Sequence, residues 1–130
     1  MKKKIIVLGS AGNLGMYYID HLLQNLDQDR YEIIATGRRP KYPFRFYDVA
    51  YVQLDITNAE DFSKLPQEDV YAVVDFAGLL PAYLEKDDPH KYIDVNVHGT
   101  LNMLEYCRKA GADRIIYTQT WAELNGYLKE

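Results

Sequence analysis

Three glycines stand three residues apart in the segment Gly9-Ser10-Ala11-Gly12-Asn13-Leu14-Gly15, directly after the apolar run Ile5-Ile6-Val7-Leu8. A strand-length apolar run that feeds into glycines and then into a segment of helical period is a device for holding phosphate. Glycine at the turn takes backbone angles closed to other residues, glycine at the next contact lets a pyrophosphate approach the main chain, and glycine inside the helix lets helix and strand pack closely. Free N–H groups and the positive end of the helix dipole then meet the anion. The first spacing is wider than in the G-x-G-x-x-G fingerprint. Two readings therefore stand: a dinucleotide loop that meets its ligand through Gly9, Ala11, Gly12, Asn13, Leu14 and Gly15, or a glycine-rich turn without ligand.

The next apolar run ends in Ala35-Thr36-Gly37-Arg38-Arg39, at the place where a dinucleotide fold discriminates between cofactors. An acid here would bind the adenosine ribose hydroxyls and repel a 2′-phosphate, whereas arginine pairs with that phosphate. With no acid present, Arg38, backed by Arg39, points to NADP in preference to NAD. The other reading of Arg38 is a solvated loop side chain. His21, His90 and His98 are far apart and have no cysteine or second histidine at a ligand spacing, so no metal site is expected.

These residues need elements to position them. The 130 residues are 48% hydrophobic and 26% charged, a balance that fits one domain over 1–130 with its own core. A net charge of -4 lacks the basic excess of a nucleic-acid binder. The apolar run after Lys2-Lys3-Lys4 is too short for a signal peptide or a membrane span. The single cysteine, Cys107, leaves no internal disulfide, so the expected setting is cytoplasmic.

Strand-length apolar runs alternate with longer segments of helical period, the pattern of a parallel βαβ sheet. Strands are expected near 4–8, 31–36, 50–54, 70–76 and 114–118. Val7, Ile34, Val52, Val74 and Ile116 sit mid-run, which predicts a sheet covered on both faces. The first helix follows Gly12, and Leu14, Ile19, Leu22, Leu23 and Leu26 form its buried stripe. The longest helix starts at the acidic cap and proline of Asp87-Asp88-Pro89 and ends by Gly111. Ile93, Val97, Leu101 and Leu104 make one of its stripes, and Tyr92, Val95, Gly99, Met103 and Tyr106 make much of the rest apolar too, so it is expected to face two partners. Pro40 and Pro43 predict a loop between the second and third strands, where a crossover helix could sit.

Taken in order, these motifs resemble the extended short-chain dehydrogenase/reductase family, the group named for NAD-dependent epimerases and dehydratases. The glycine loop is similar to its GxxGxxG motif. Leu54-Asp55-Ile56-Thr57 is similar to its acidic motif after the third strand, which implies that Asp55 and Ile56 lie at the adenine. Val74-Asp75-Phe76-Ala77-Gly78 resembles its HLAA-type segment, implying that Phe76, Ala77 and Gly78 line the cofactor; Ala77 and Gly78 read equally well as small residues that permit close packing. Asp88-Pro89, Asn96-Val97-His98-Gly99-Thr100, Leu101-Asn102-Met103-Leu104-Glu105 and Arg114-Ile115-Ile116-Tyr117 match the stretch written DP…NVxGTxNLLE…RxVY. Asn96, polar in an apolar helical setting, either satisfies backbone groups or touches ligand.

The resemblance covers the whole chain and implies an α/β, Rossmann-type doubly wound parallel sheet of about five strands. The implied activity is an NAD(P)-dependent epimerase, dehydratase or oxidoreductase acting on a nucleotide-sugar or related alcohol or carbonyl. Thr118-Gln119-Thr120 occupies the place of the family's serine- and threonine-rich segment, making Thr120 the candidate catalytic hydroxyl, although a threonine at a strand end is also ordinary. The family further uses a tyrosine with a lysine one helical turn on, about four residues, to exchange a proton during hydride transfer. Tyr127 and Lys129 are only two apart and are not assigned that role. The 130 residues are accordingly expected to hold the cofactor without turnover, with a homodimer as a further expectation from the long helix. The alternative is a noncatalytic NADP-binding or redox-sensing module.

Overall fold

The computed structural model describes residues 1–43, 48–80 and 83–118. Its strands are β1 (Lys3–Leu8), β2 (Tyr31–Gly37), β3 (Ala50–Gln53), β4 (Val70–Asp75) and β5 (Arg114–Tyr117), each bound falling within one residue of the run that predicts it. All pairings are parallel, and the sheet order is β3-β2-β1-β4-β5. The chain moves outward from β1 to β3, then returns to place β4 on the other side of β1. This reversal opens a crevice at the carboxyl ends of β1 and β4, the switch point where open α/β sheets take their ligands.

The two central strands are buried on both faces. Ile6, Val7, Val73 and Val74 are fully enclosed, and their β-branched side chains are stiff in the conformation a strand needs. Enclosing each contributes roughly 1.5–3 kcal/mol relative to exposure. On one face, Ile5, Val7, Ile33, Ala35 and Ala72 pack against Ile19 and Leu22 of α1 (Asn13–Asn25). Leu14 departs from the expected stripe: it is 64% exposed, although Gly15 beside it is buried.

On the other face, Ile6, Leu8, Ile34 and Val73 pack against Met103, Tyr106, Cys107 and Ala110. The long helix carrying those residues comprises α2 (Pro89–Tyr92), a wider π-wound segment (Ile93–His98) and α3 (Gly99–Ala110). It starts as the sequence predicts, with the Lys91 N–H donating to the Asp88 carboxylate and Pro89 in the first turn. It ends at Gly111, which takes φ +64°, while the Ala112 N–H reaches back to the Cys107 carbonyl.

One expectation of burial is corrected: Ile115 and Ile116 of β5 are 43% and 46% exposed. Ile93, Val97, Leu101 and Leu104 lie on the exposed side of the long helix, the second of its two apolar faces. The apolar pattern is genuine, but β5 is the edge of the described sheet, and Gly99, Met103 and Tyr106 take the face toward the core. Between β2 and β3, the described residues contain no helix, as the prolines imply; a short 3-10 segment, Ala59–Lys64, follows β3 instead.

Candidate functional site

The glycine loop sits at the switch point, and each glycine has its own reason to be there. Gly9 leaves β1 with φ +68°, and a Cβ on it would lie 2.7 Å from the Ala77 nitrogen and 2.8 Å from the Phe76 carbonyl carbon. The exit of β4 therefore rests flush on Gly9. A Cβ on Gly15 would run into the Gly9 carbonyl oxygen and come within 2.7 Å of the Ser10 Cα, so this glycine lets α1 pack on the loop. Gly12 differs, because a Cβ there would meet nothing nearer than the Gly9 oxygen at 3.6 Å. The protein's own packing therefore does not require glycine at 12, and the main chain there is open to the close approach of another group.

Gly12 is also the cap of α1, where no side chain satisfies the first-turn N–H groups and no acid stands in that turn. Thirteen residues of helix thus present donors and the positive end of their dipole to the crevice. Gly12, Asn13 and Leu14 are exposed there and Ala11 is half-buried. The loop is held from below by Ser10, which is fully buried: its hydroxyl and its N–H both donate to the Thr36 carbonyl, at 2.7 and 3.2 Å. Thr36 in turn donates to the Val7 carbonyl. Tyr42, stacked on Tyr51, adds a hydroxyl donated to the Ser10 carbonyl.

Arg38 and Arg39 follow β2 at the same end of the sheet. Their backbone carbonyls accept from Gln53 and from the Tyr51 hydroxyl, which fixes the turn. Their side chains are exposed, and neither guanidinium forms an ion pair with a described residue. After β3, the Asp55 carboxylate accepts from the Thr57 N–H and hydroxyl, and the Asp55 N–H donates to Asp61. Lys64 beside Asp61 holds that carboxyl below its usual range. The Ile56 side chain turns into the core, where Gly99 leaves room for it, and its carbonyl accepts from Asn102.

At the exit of β4, the Phe76 ring packs edge-on against Tyr18 of α1, and Ala77 and Gly78 continue along the crevice past Gly9 and Asn96. Asn96 clamps the following residue, with its Oδ1 accepting from the Leu79 N–H at 2.8 Å and its Nδ2 donating to the Leu79 carbonyl at 2.9 Å. It does so from within the π-wound segment, a form of winding frequent at functional sites. Of the two roles open to Asn96 in the sequence, the backbone-satisfying one is filled.

Asp75, the last residue of β4, is 2% exposed, and its Oδ1 accepts from the Ala77 N–H at 2.9 Å. Burial pushes its carboxyl up to about 6, against the opposing pull of that N–H. Burial, and then the Asp75 charge, push the Cys107 thiol up to about 11. The Thr118 hydroxyl donates to the Asp75 carbonyl, tying the exits of β5 and β4 together. Thr120 lies outside the described residues.

The arrangement has known relatives. The model of the NAD dependent epimerase/dehydratase family matches residues 5–129. The chain belongs to the NAD-dependent epimerase/dehydratase family. It is 31% identical over 124 residues to a UDP-glucose 4-epimerase of Streptococcus mutans, covering 91% of this chain and 36% of that protein. It is 27% identical to a UDP-glucose 4-epimerase of Pisum sativum, over 91% of this chain and 37% of the relative. Among solved structures, a Thermus thermophilus UDP-glucose 4-epimerase in complex with NAD superposes with TM-score 0.71 at 22% identity, covering 90% of this chain and 37% of that one. An L-threonine dehydrogenase of Clostridium difficile superposes with TM-score 0.68 at 26% identity, over 88% and 35%. The chain thus spans little more than a third of the length of these relatives.

Three contributors to the site in this family member escape a reading of motifs. Ser10 stands inside the glycine loop, but only the fold shows that its side chain faces inward. Tyr42 is one of 12 tyrosines and carries no local signal. Asp75 does carry one, an acid closing an otherwise apolar strand, which is costly unless the carboxylate finds a donor.

Proposed function

We propose that the chain binds a nicotinamide dinucleotide across the switch point of its sheet. The pyrophosphate lies on Gly9, Ala11, Gly12, Asn13, Leu14 and Gly15, the adenosine lies toward Arg38, Arg39, Asp55 and the Ile56 main chain, and the remaining half passes Phe76, Ala77, Gly78 and Asn96. The observation that carries this reading is Gly12. It combines open space for a close approach with an uncapped helix terminus directly behind it. The cofactor is NADP in preference to NAD, since the turn after β2 holds two arginines with no ion pair among the described residues, and no acid.

The larger activity is that of an epimerase, dehydratase or reductase acting on a nucleotide-sugar or a related alcohol or carbonyl. The UDP-glucose 4-epimerases among the relatives support a nucleotide-sugar substrate. When bound, the nicotinamide supplies hydride exchange with a carbon of the substrate. The residues of this chain bind and orient: the loop fixes the pyrophosphate, and the Asn96 clamp on Leu79 fixes the wall along the nicotinamide half. Thr120 is the candidate catalytic hydroxyl.

Titration calorimetry with NADPH and with NADH, on the original chain and on Gly12→Val, tests the reading. Saturable binding of NADPH that vanishes in a folded Gly12→Val chain supports it. Affinity unchanged by that substitution removes the loop from the site.

A further inference from the structure

Among the described residues, the sheet end carries one buried acid that the cofactor contacts leave unused. Asp75 closes β4, where register pairs it with Leu8 on one side and Tyr117 on the other. Its backbone is fixed by the strands and by Thr118, so the carboxylate is left free to serve the turn that follows. There it accepts from the Ala77 N–H, two residues on. That nitrogen is the atom nearest to where a Cβ on Gly9 would stand, and the neighbouring Phe76 carbonyl carbon and Ala77 Cα are next. A carboxylate hidden from solvent thus bends the β4 exit into the shape that fits against the phosphate loop.

We infer that Asp75 is a positioning residue of the cofactor cleft, holding the Phe76–Ala77 main chain against Gly9 and so setting the spacing between the phosphate loop and the cleft wall. It touches no cofactor itself and acts through the Ala77 amide. This rests on the dinucleotide reading above. An apolar residue would suit the burial of this position better, since an isolated carboxylate at the end of a buried strand opposes folding unless a donor meets it. Among the described residues, the backbone donor it meets belongs to Ala77, which abuts Gly9. The groups that face Asp75 from packed elements are the Cys107 thiol on α3, neutral at physiological pH because burial raises it, and Tyr117 across the β5 pairing; β1 contributes Leu8.

Two substitutions separate the acceptor from the charge and the volume. Asp75→Asn keeps an oxygen for the Ala77 N–H at the same size, and Asp75→Ala removes it. NADPH and NADH affinities are measured on the original chain and both variants, together with 15N amide spectra from pH 5 to 7.5. The expected result is about a tenfold loss of dinucleotide affinity in Asp75→Ala, as the loss of a hydrogen bond to a charged group implies, with Asp75→Asn restoring affinity to within about threefold. The Ala77 and Gly9 amide signals of the original chain should shift together near pH 6, and those of Asp75→Asn should not. Normal affinity in Asp75→Ala, or equal losses in both variants, overturns the inference. If the original chain binds neither dinucleotide, the cofactor reading itself fails and takes the inference with it, an outcome visible before any variant is made.

Discussion

The buried Ser10 hydroxyl donates to the Thr36 carbonyl at 2.7 Å, which joins the glycine loop to the end of β2 across 26 residues of chain. The same carbonyl also accepts the Ser10 N–H, so the two bonds share one acceptor and neither leaves it orphaned when the other is lost. Ser10→Ala should therefore cost only about 1 kcal/mol of stability, the net value of one such bond. Urea denaturation reads this directly. A loss above about 3 kcal/mol would mean that the hydroxyl does more than fasten the loop.

The three glycines should respond differently to substitution. Gly9→Ala places a Cβ within 3 Å of the β4 exit at a positive φ, combining backbone strain of about 1–3 kcal/mol with a clash against main chain that has little room to move. It should lower the thermal midpoint sharply. Gly12→Ala has 3.6 Å of clearance and should melt within a few degrees of the original chain while binding dinucleotide more weakly. Equal melting losses at both positions would falsify the separation of structural from ligand-driven glycine.

How much of this was legible beforehand follows from what kind of force fixes each feature. The strands, the helix ends at Asp88 and Gly111, and the loop between β1 and α1 are set by local chemistry, namely β-branched runs, capping and glycine, and all are readable in order. The exposure of Ile93, Val97, Leu101 and Leu104 was not, because their spacing says that they share a face and nothing about which face the sheet takes. The π-wound segment was also hidden: its extra residue per turn rotates what precedes it relative to α3, which a constant helical period does not anticipate. Leu14 fits the stripe by spacing but lies one turn too early to reach the core. Tyr42 gains its role from a residue 32 positions away, which no local pattern encodes; Asp75 shows locally as an acid closing an apolar strand, but the closeness of its turn to Gly9 does not.

Cofactor preference is the next expected outcome. With Arg38 and Arg39 forming no ion pair among the described residues, NADPH should bind at least about tenfold tighter than NADH, the equivalent of about 1.5 kcal/mol for a charge-assisted contact. Arg38→Ala should remove most of that difference and leave NADH affinity unchanged. Competition between the two nucleotides measures it, and an original chain that prefers NADH contradicts the reading of this turn.

The Asp75 carboxyl also predicts how stability responds to pH. Its folded value, about 6, lies above its ordinary 3.8, so between these limits the folded state holds more proton than the unfolded one and stability falls as pH rises. Asp75→Asn lacks this dependence. Near pH 4 the two chains should be similar in stability, whereas by pH 7 Asp75→Asn should be the more stable by up to about 3 kcal/mol. Thermal melts at a series of pH values give the comparison, and a gap that is constant with pH would show that Asp75 ionises as it does in the unfolded chain.

The flush contact between Gly9 and the β4 exit has a consequence for the order in which the molecule forms. β1 lies in the middle of the sheet, yet one of its partners pairs Lys4 with Val70, a loop closure whose entropic cost must be met before its contacts can repay it. The first helix can coil early and β2 can dock beside β1, but the glycine loop has no wall to close against until residue 77 arrives. The glycine loop is therefore expected to fold late despite its place near the start of the chain. Pulsed hydrogen exchange during refolding should show the Gly12 and Met16 amides acquiring protection together with those of β4, after the interior of α1.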